Sequence, residues 1–144
     1  IQLLWQSGKY YFEEAEKALM ASGAQNIQLV PFIKEMNRAF QVADIIISRA
    51  GAGTISELCI VGKPVILVPS PNVAEDHQTS NARSLSDQQS AVLISDKLAR
   101  EELVKDALSL IEDDVRKKNL SKNIGKLAIR DSAQRIINEV KKLV

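Results

Sequence analysis

The sequence predicts an α/β fold, a Rossmann-like parallel sheet with flanking helices. Three observations carry that prediction. Short apolar runs alternate with helix-patterned stretches over residues 1–96. Two of the runs, ADIIIS (43–48) and PVILVP (64–69), are apolar at successive positions, as strands covered on both faces are. Strands separated by helices imply βαβ crossovers, and hence parallel pairing.

The elements follow in order. IQLLWQ (1–6) is the first strand, and Ser7-Gly8 turns the chain out of it. Tyr11, Ala15, Ala18 and Leu19 recur at helical spacing, and Gly23 is the stop. IQLVPFI (27–33) is the second strand, ended by Pro31, and a short helix with Met36, Ala39 and Phe40 leads to ADIIIS. The glycine loop of SRAGAGTISE (48–57) then opens a helix that stops at Gly62-Lys63-Pro64. PVILVP is the fourth strand, and SPNVAEDHQ (70–78) is a polar loop. A helix through Ala82 and Leu85 precedes the last strand, AVLIS (91–95). From Lys97 the pattern is helical only. One stripe is Leu103, Val104, Ala107, Leu108 and Ile111. A second is Ala133, Ile136, Ile137, Val140 and Val144, behind an Asp131-Ser132 cap.

Bulk composition narrows the function classes. The 144 residues suit one compact domain with a sizeable core. The net charge of +1 gives no global pull toward nucleic acid or membrane. The tail from residue 97 is basic, with 12 Lys+Arg against 8 Asp+Glu, but acids are interleaved along its helices, the pattern of a solvated surface. A single cysteine, Cys59, excludes an internal disulfide and fits a reducing compartment. One cysteine and one histidine argue against a His/Cys zinc site, and no cofactor is expected. No apolar run approaches the roughly 18 residues of a membrane span. The chain opens without Met, directly in a strand-like run, as a piece of a longer protein does.

In such a sheet ligands sit beyond the carboxyl ends of the strands. Three loops are candidates there: Pro31–Glu35, Arg49–Thr54 and Ser70–Gln78. In RAGAGT, Gly51 and Gly53 lack Cβ, so the backbone can adopt unusual dihedrals and approach a ligand closely. The helix that begins near Thr54 offers free N–H groups and a positive dipole end to an anion. The pattern is neither G-x-G-x-x-G nor a Walker loop, and glycine also serves tight turns for steric reasons alone. Thr54 and Glu57 form T-x-x-E, which reads as a capping box or as a carboxylate placed for the vicinal hydroxyls of a ribose. Asp76, His77, Gln78, Thr79, Ser80 and Asn81 form a run of donors and acceptors suited to sugar hydroxyls, or a solvated loop. Phe32 and Ile33 leave a strand, where their backbone groups can read a planar base edge, or they are core.

WQSGK, PFIKEM, ADIIISRAGAGTISE, GKPVILVPSP and AEDHQTSNA occur in this order. Together they resemble the MurG-like family of peptidoglycan glycosyltransferases, in its C-terminal, nucleotide-sugar (donor) domain. The resemblance covers residues 2–96 by motif, and the helical tail is compatible with it. It implies the C-terminal half of a GT-B fold, two Rossmann-like domains with the active site in the cleft between them. It implies an inverting, metal-independent hexosyltransferase that moves GlcNAc from UDP-GlcNAc to lipid I, giving lipid II at the cytoplasmic face of the bacterial inner membrane.

Carried over by motif, the backbone of Ile33 meets uracil. Ala52, Gly53 and Thr54 line the diphosphate, Glu57 holds the ribose, and His77 and Gln78 contact GlcNAc. The acceptor site, general base and membrane-facing patch are expected in an N-terminal domain outside these residues, as is a Gly-rich loop upstream of Ile1. The chain alone is therefore expected to be inactive, with no catalytic residue of its own, no metal and no nucleic-acid partner. Another GT-B UDP-sugar transferase with a lipid acceptor, and a non-catalytic nucleotide-binding module, stay open. A dinucleotide oxidoreductase fits poorly, since Ser70 follows PVILVP where an acidic residue is expected.

Overall fold

The computed structural model describes residues 1–71 and 76–143. The chain divides into two compact units, Ile1–Val42 and Ala43–Val144.

The first unit is a βαβα segment: β1 (Leu3–Gln6), α1 (Gly8–Ser22), β2 (Ile27–Val30) and α2 (Met36–Val42). β1 and β2 pair in parallel, Leu3 opposite Ile27 through Gln6 opposite Val30. The helix α1 ends at Gly23, whose φ of 66° is left-handed and whose N–H donates to the Met20 carbonyl. A side chain there would be strained, which is why glycine stops this helix. Of the expected α1 stripe only Ala15 is buried, and Tyr11 is exposed. The side chains of β1 are exposed as well.

The second unit holds β3 (Ile46–Ser48), α3 (Ala52–Val61), β4 (Val65–Leu67), α4 (His77–Ser86) and β5 (Val92–Leu93). It continues through α5 (Ala99–Glu112), α6 (Asp114–Lys126) and α7 (Ser132–Lys141). Its sheet has the order β3-β4-β5, all parallel. The central strand β4 is buried at all three positions, as its unbroken apolar run predicts. The edge strand β3 departs from the same expectation: Ile46 is buried, but Ile47 is 40% exposed. An unbroken apolar run shows that both faces can be covered; which faces are covered is decided by the neighbours.

The core gathers Ile66, Val68, Ile94, Leu110 and Leu120, with Leu103 and Ala107 packed against it. Burying side chains of this size contributes about 1.5–3 kcal/mol each. The α5 stripe is thus corrected. Leu103, Ala107 and Leu110, spaced i, i+4, i+7, face the sheet, while Val104 and Leu108 are exposed. The helix α6 was not among the expected stripes, yet it buries Leu120 and Ile124. Its start is capped by the Asp113 carboxylate, which accepts from the Arg116 N–H at 2.8 Å.

The last expected stripe does form one side of α7, but that helix buries no residue, and Ile136 is 65% exposed. Val144 lies outside the described residues. Asp131 occupies the N-cap position of α7 without capping it. Its carboxylate instead binds Arg135 Nε at 2.9 Å, and that bond holds the Asp131 carboxyl below its usual range.

Candidate functional site

In the second unit the loops beyond the carboxyl ends of β3, β4 and β5 converge around one short peptide, residues 49–51. The strand β3 ends at Ser48, Ala50 is buried, and Gly51 is the N-cap of α3. The first bond of the helical ladder runs from Ile55 N to Gly51 O at 2.9 Å, and among the described residues no side-chain cap bond is made at Gly51. The amides of Ala52, Gly53 and Thr54 precede that ladder. They form an uncapped helix N-terminus that opens on the surface at Ala52 and Gly53.

The helix begins three residues earlier than T-x-x-E suggested, and this corrects two readings. Thr54 is the third helical residue, so no capping box forms with Glu57. Glu57 lies in the second turn, exposed, with no hydrogen bond or ion pair among the described residues. The glycines do not need unusual dihedrals either. Gly51 sits at φ −66°, ψ 146°, open to any residue, and Gly53 is not left-handed. A Cβ built on Gly53 meets nothing within 4 Å, and one on Gly51 meets only Thr54 Oγ1, at 3.7 Å. Among the described residues, then, crowding does not explain these glycines, and the backbone at Gly53 is open to close approach.

Peptide 49–51 is held by side chains from both sides. Gln78, in the first turn of α4, accepts with one oxygen from the N–H groups of Ala50, at 3.2 Å, and Ser70, at 2.9 Å. Asn81, one turn on, donates through Nδ2 to the Ala50 carbonyl at 3.1 Å. The side chain of Arg49 donates to the carbonyls of Val68 and Pro69 and pairs with Asp96. Arg49, Asn81 and Asp96 were not singled out as a network from sequence. The available signal was the spacing of Gln78 and Asn81, i and i+3, which puts both on one helix face. His77 opens α4 and is exposed. Of the polar loop 70–78, residues 72–75 lie outside the described residues.

In the first unit, Phe32 is 64% exposed and is not core. With Ile33, Leu4, Val30, Arg38 and Val42 it lines an open groove of about 410 Å³. The Ile33 N–H, expected to be unpaired at a strand end, donates to Gln6 Oε1 at 2.7 Å. The register explains this: Gln6 stands opposite Val30, within reach of the turn that follows.

Among the described residues, no group of three or more His, Cys, Asp or Glu stands together as a metal site. None of the described helices is long and apolar enough to cross a membrane.

Parallel βαβ units, with a helix N-terminus exposed beyond the strand ends, define a Rossmann-like α/β domain. The chain belongs to the glycosyltransferase family 28 C-terminal domain family, which it matches over residues 1–136. It is 51% identical over 144 residues to a protein of Parabacteroides distasonis, covering 100% of this chain and 39% of that one. It is also 51% identical to one of Bacteroides thetaiotaomicron, covering 99% and 39%. Both are named UDP-N-acetylglucosamine--N-acetylmuramyl-(pentapeptide) pyrophosphoryl-undecaprenol N-acetylglucosamine transferase. The chain thus spans well under half the length of these relatives.

The crystal structure of Acinetobacter baumannii MurG superposes with a TM-score of 0.85 at 29% identity, over 99% of this chain and 41% of that one. The glycosyltransferase of kitacinnamycin shares the fold, with a TM-score of 0.61 at 20% identity over 87% of this chain and 30% of that one.

Proposed function

We propose that this chain is the donor-binding part of an inverting glycosyltransferase that moves GlcNAc from UDP-GlcNAc to lipid I, forming lipid II in peptidoglycan synthesis. The relatives' name supports the reaction. The observation that carries the reading is the combination at α3: three amides ahead of the helical ladder and, among the described residues, open space over Gly53 and an exposed, unpaired Glu57 one turn on.

Each part then has a task. The amides of Ala52, Gly53 and Thr54 receive the diphosphate. As the glycosidic bond breaks, negative charge develops on the departing UDP, and a preorganised helix N-terminus stabilises that charge without a metal. The free carboxylate of Glu57 accepts from the ribose hydroxyls. The Ile33 backbone reads uracil once Gln6 releases its N–H. His77 and the Nε2 amide of Gln78 face the GlcNAc hydroxyls. No catalytic residue is assigned to these residues. The general base, the lipid I site and a peripheral contact with the cytoplasmic face of the inner membrane belong to the remaining length that the relatives have.

The test is transfer by the full-length protein carrying this chain, given UDP-GlcNAc and a lipid I analogue. The expected product is the disaccharide lipid with an inverted anomeric centre. Equal use of UDP-glucose or UDP-galactose would point to a different UDP-sugar transferase. Binding of UDP without transfer to any lipid-linked sugar would leave a nucleotide-binding module.

A further inference from the structure

We infer that Gln78 and Asn81 are positioning residues for the diphosphate site, acting through the peptide at Ala50 and not only through the sugar. The inference rests on the reading of the α3 N-terminus as the diphosphate site. It adds a role that the residues' place in a run of sugar-binding groups does not suggest.

Both polar groups of Ala50 are held by one helix face. Its N–H goes to Gln78 Oε1 and its carbonyl accepts from Asn81 Nδ2. The partners determine which side-chain atom faces which way. Two N–H donors require the Gln78 oxygen, and a carbonyl requires the Asn81 nitrogen. The Gln78 oxygen also takes the Ser70 N–H beyond β4, so it ties the ends of two strands together. Ala50 is fully buried, so water cannot easily replace these bonds, and an unmade bond leaves a buried polar group unsatisfied.

The next residue is the N-cap Gly51, and the amides offered to the diphosphate follow directly. The orientation of peptide 49–51 therefore sets the direction of those amides. The strand alone does not set it, because β3 ends at Ser48. The Gln78 oxygen is committed to this clasp, which leaves its Nε2 group for a sugar.

The experiment compares ligands that differ in diphosphate and sugar. In the full-length protein, Gln78→Ala and Asn81→Ala are titrated with UDP-GlcNAc, UDP and uridine. The expected result for Asn81→Ala is a loss of about tenfold for UDP and UDP-GlcNAc alike, the size of one lost hydrogen bond in a buried site. Gln78→Ala loses at least as much for UDP and more for UDP-GlcNAc, whose sugar contact it also removes. Uridine affinity is unchanged in both. UDP carries no sugar, so its loss reports on the anion site; unchanged uridine affinity shows that the fold survives. If either variant weakens UDP-GlcNAc alone and leaves UDP untouched, the inference is overturned and the residue acts on the sugar. Equal loss for all three ligands also overturns it, in favour of a general structural role. Should Gln78→Ala not fold, Asn81→Ala reads the same prediction with the Gln78 clasp intact. If the unaltered protein binds no UDP, the donor-site reading itself fails, an outcome distinct from the others.

Discussion

Replacing Glu57 by alanine separates ligand binding from helix stability. Among the described residues the Glu57 side chain caps nothing and pairs with nothing, and it stands in an exposed second turn of α3. Its removal should therefore change stability by no more than about 0.5 kcal/mol, the range of an ordinary surface substitution. Alanine is also the better helix former by a few tenths of a kcal/mol, so the melting temperature stays level or rises slightly. The ligand term is larger. A carboxylate accepting from a hydroxyl is worth roughly 1.5–3 kcal/mol per hydrogen bond, so losing two such bonds costs at least about a hundredfold in affinity.

The assay is calorimetric titration of the full-length protein with UDP and with its 2′,3′-dideoxy analogue, beside a thermal melt. The unaltered protein should prefer UDP strongly, and the Glu57→Ala protein should bind both nucleotides equally weakly. A melting temperature lowered by several degrees with UDP affinity unchanged would refute the reasoning. It would mean that Glu57 supports the helix after all.

Three further outcomes are expected. Gly53→Val should fold, since the added Cβ enters open space, yet it should abolish UDP binding by filling the approach to the amides; retained UDP affinity in calorimetry would place the diphosphate elsewhere. Leu110→Ala should cost about 2–5 kcal/mol in a denaturant titration, because Leu110 is fully buried at the junction of α5 with the sheet. Burial pushes the Cys59 thiol above its ordinary value. The native state therefore favours the protonated thiol, and that contribution to stability is present below the unfolded value and lost as pH rises through the folded one. A thiol reagent should react slowly with the native protein at neutral pH and fast after unfolding, and equal rates in the two states would contradict this.

The order of strands and helices through β5, the parallel pairing and the glycine stops at Gly23 and Gly62 were legible in the sequence, because each rests on local chemistry; α6 was not. Unbroken apolar runs mark strands that can be covered on both faces, and left-handed C-caps favour residues without Cβ. The candidate site was legible as a set of residue types: glycines at a helix start, a carboxylate one turn on, and a polar run around Gln78.

Other features depended on partners far along the chain. The stripe read along α5 was Leu103, Val104, Ala107, Leu108 and Ile111; packing against the sheet kept Leu103 and Ala107, added Leu110 and left Val104 and Leu108 exposed. T-x-x-E is a valid helix start by itself, but the backbone turns helical already at Ala52 once Gly51 takes the N-cap, and that frees Glu57. The clasp on Ala50 joins residues 28 and 31 positions apart. No local pattern encodes such a bond. It exists because parallel strands bring the ends of β3 and β4 side by side, where a polar helix face can satisfy the backbone groups that the strands leave behind.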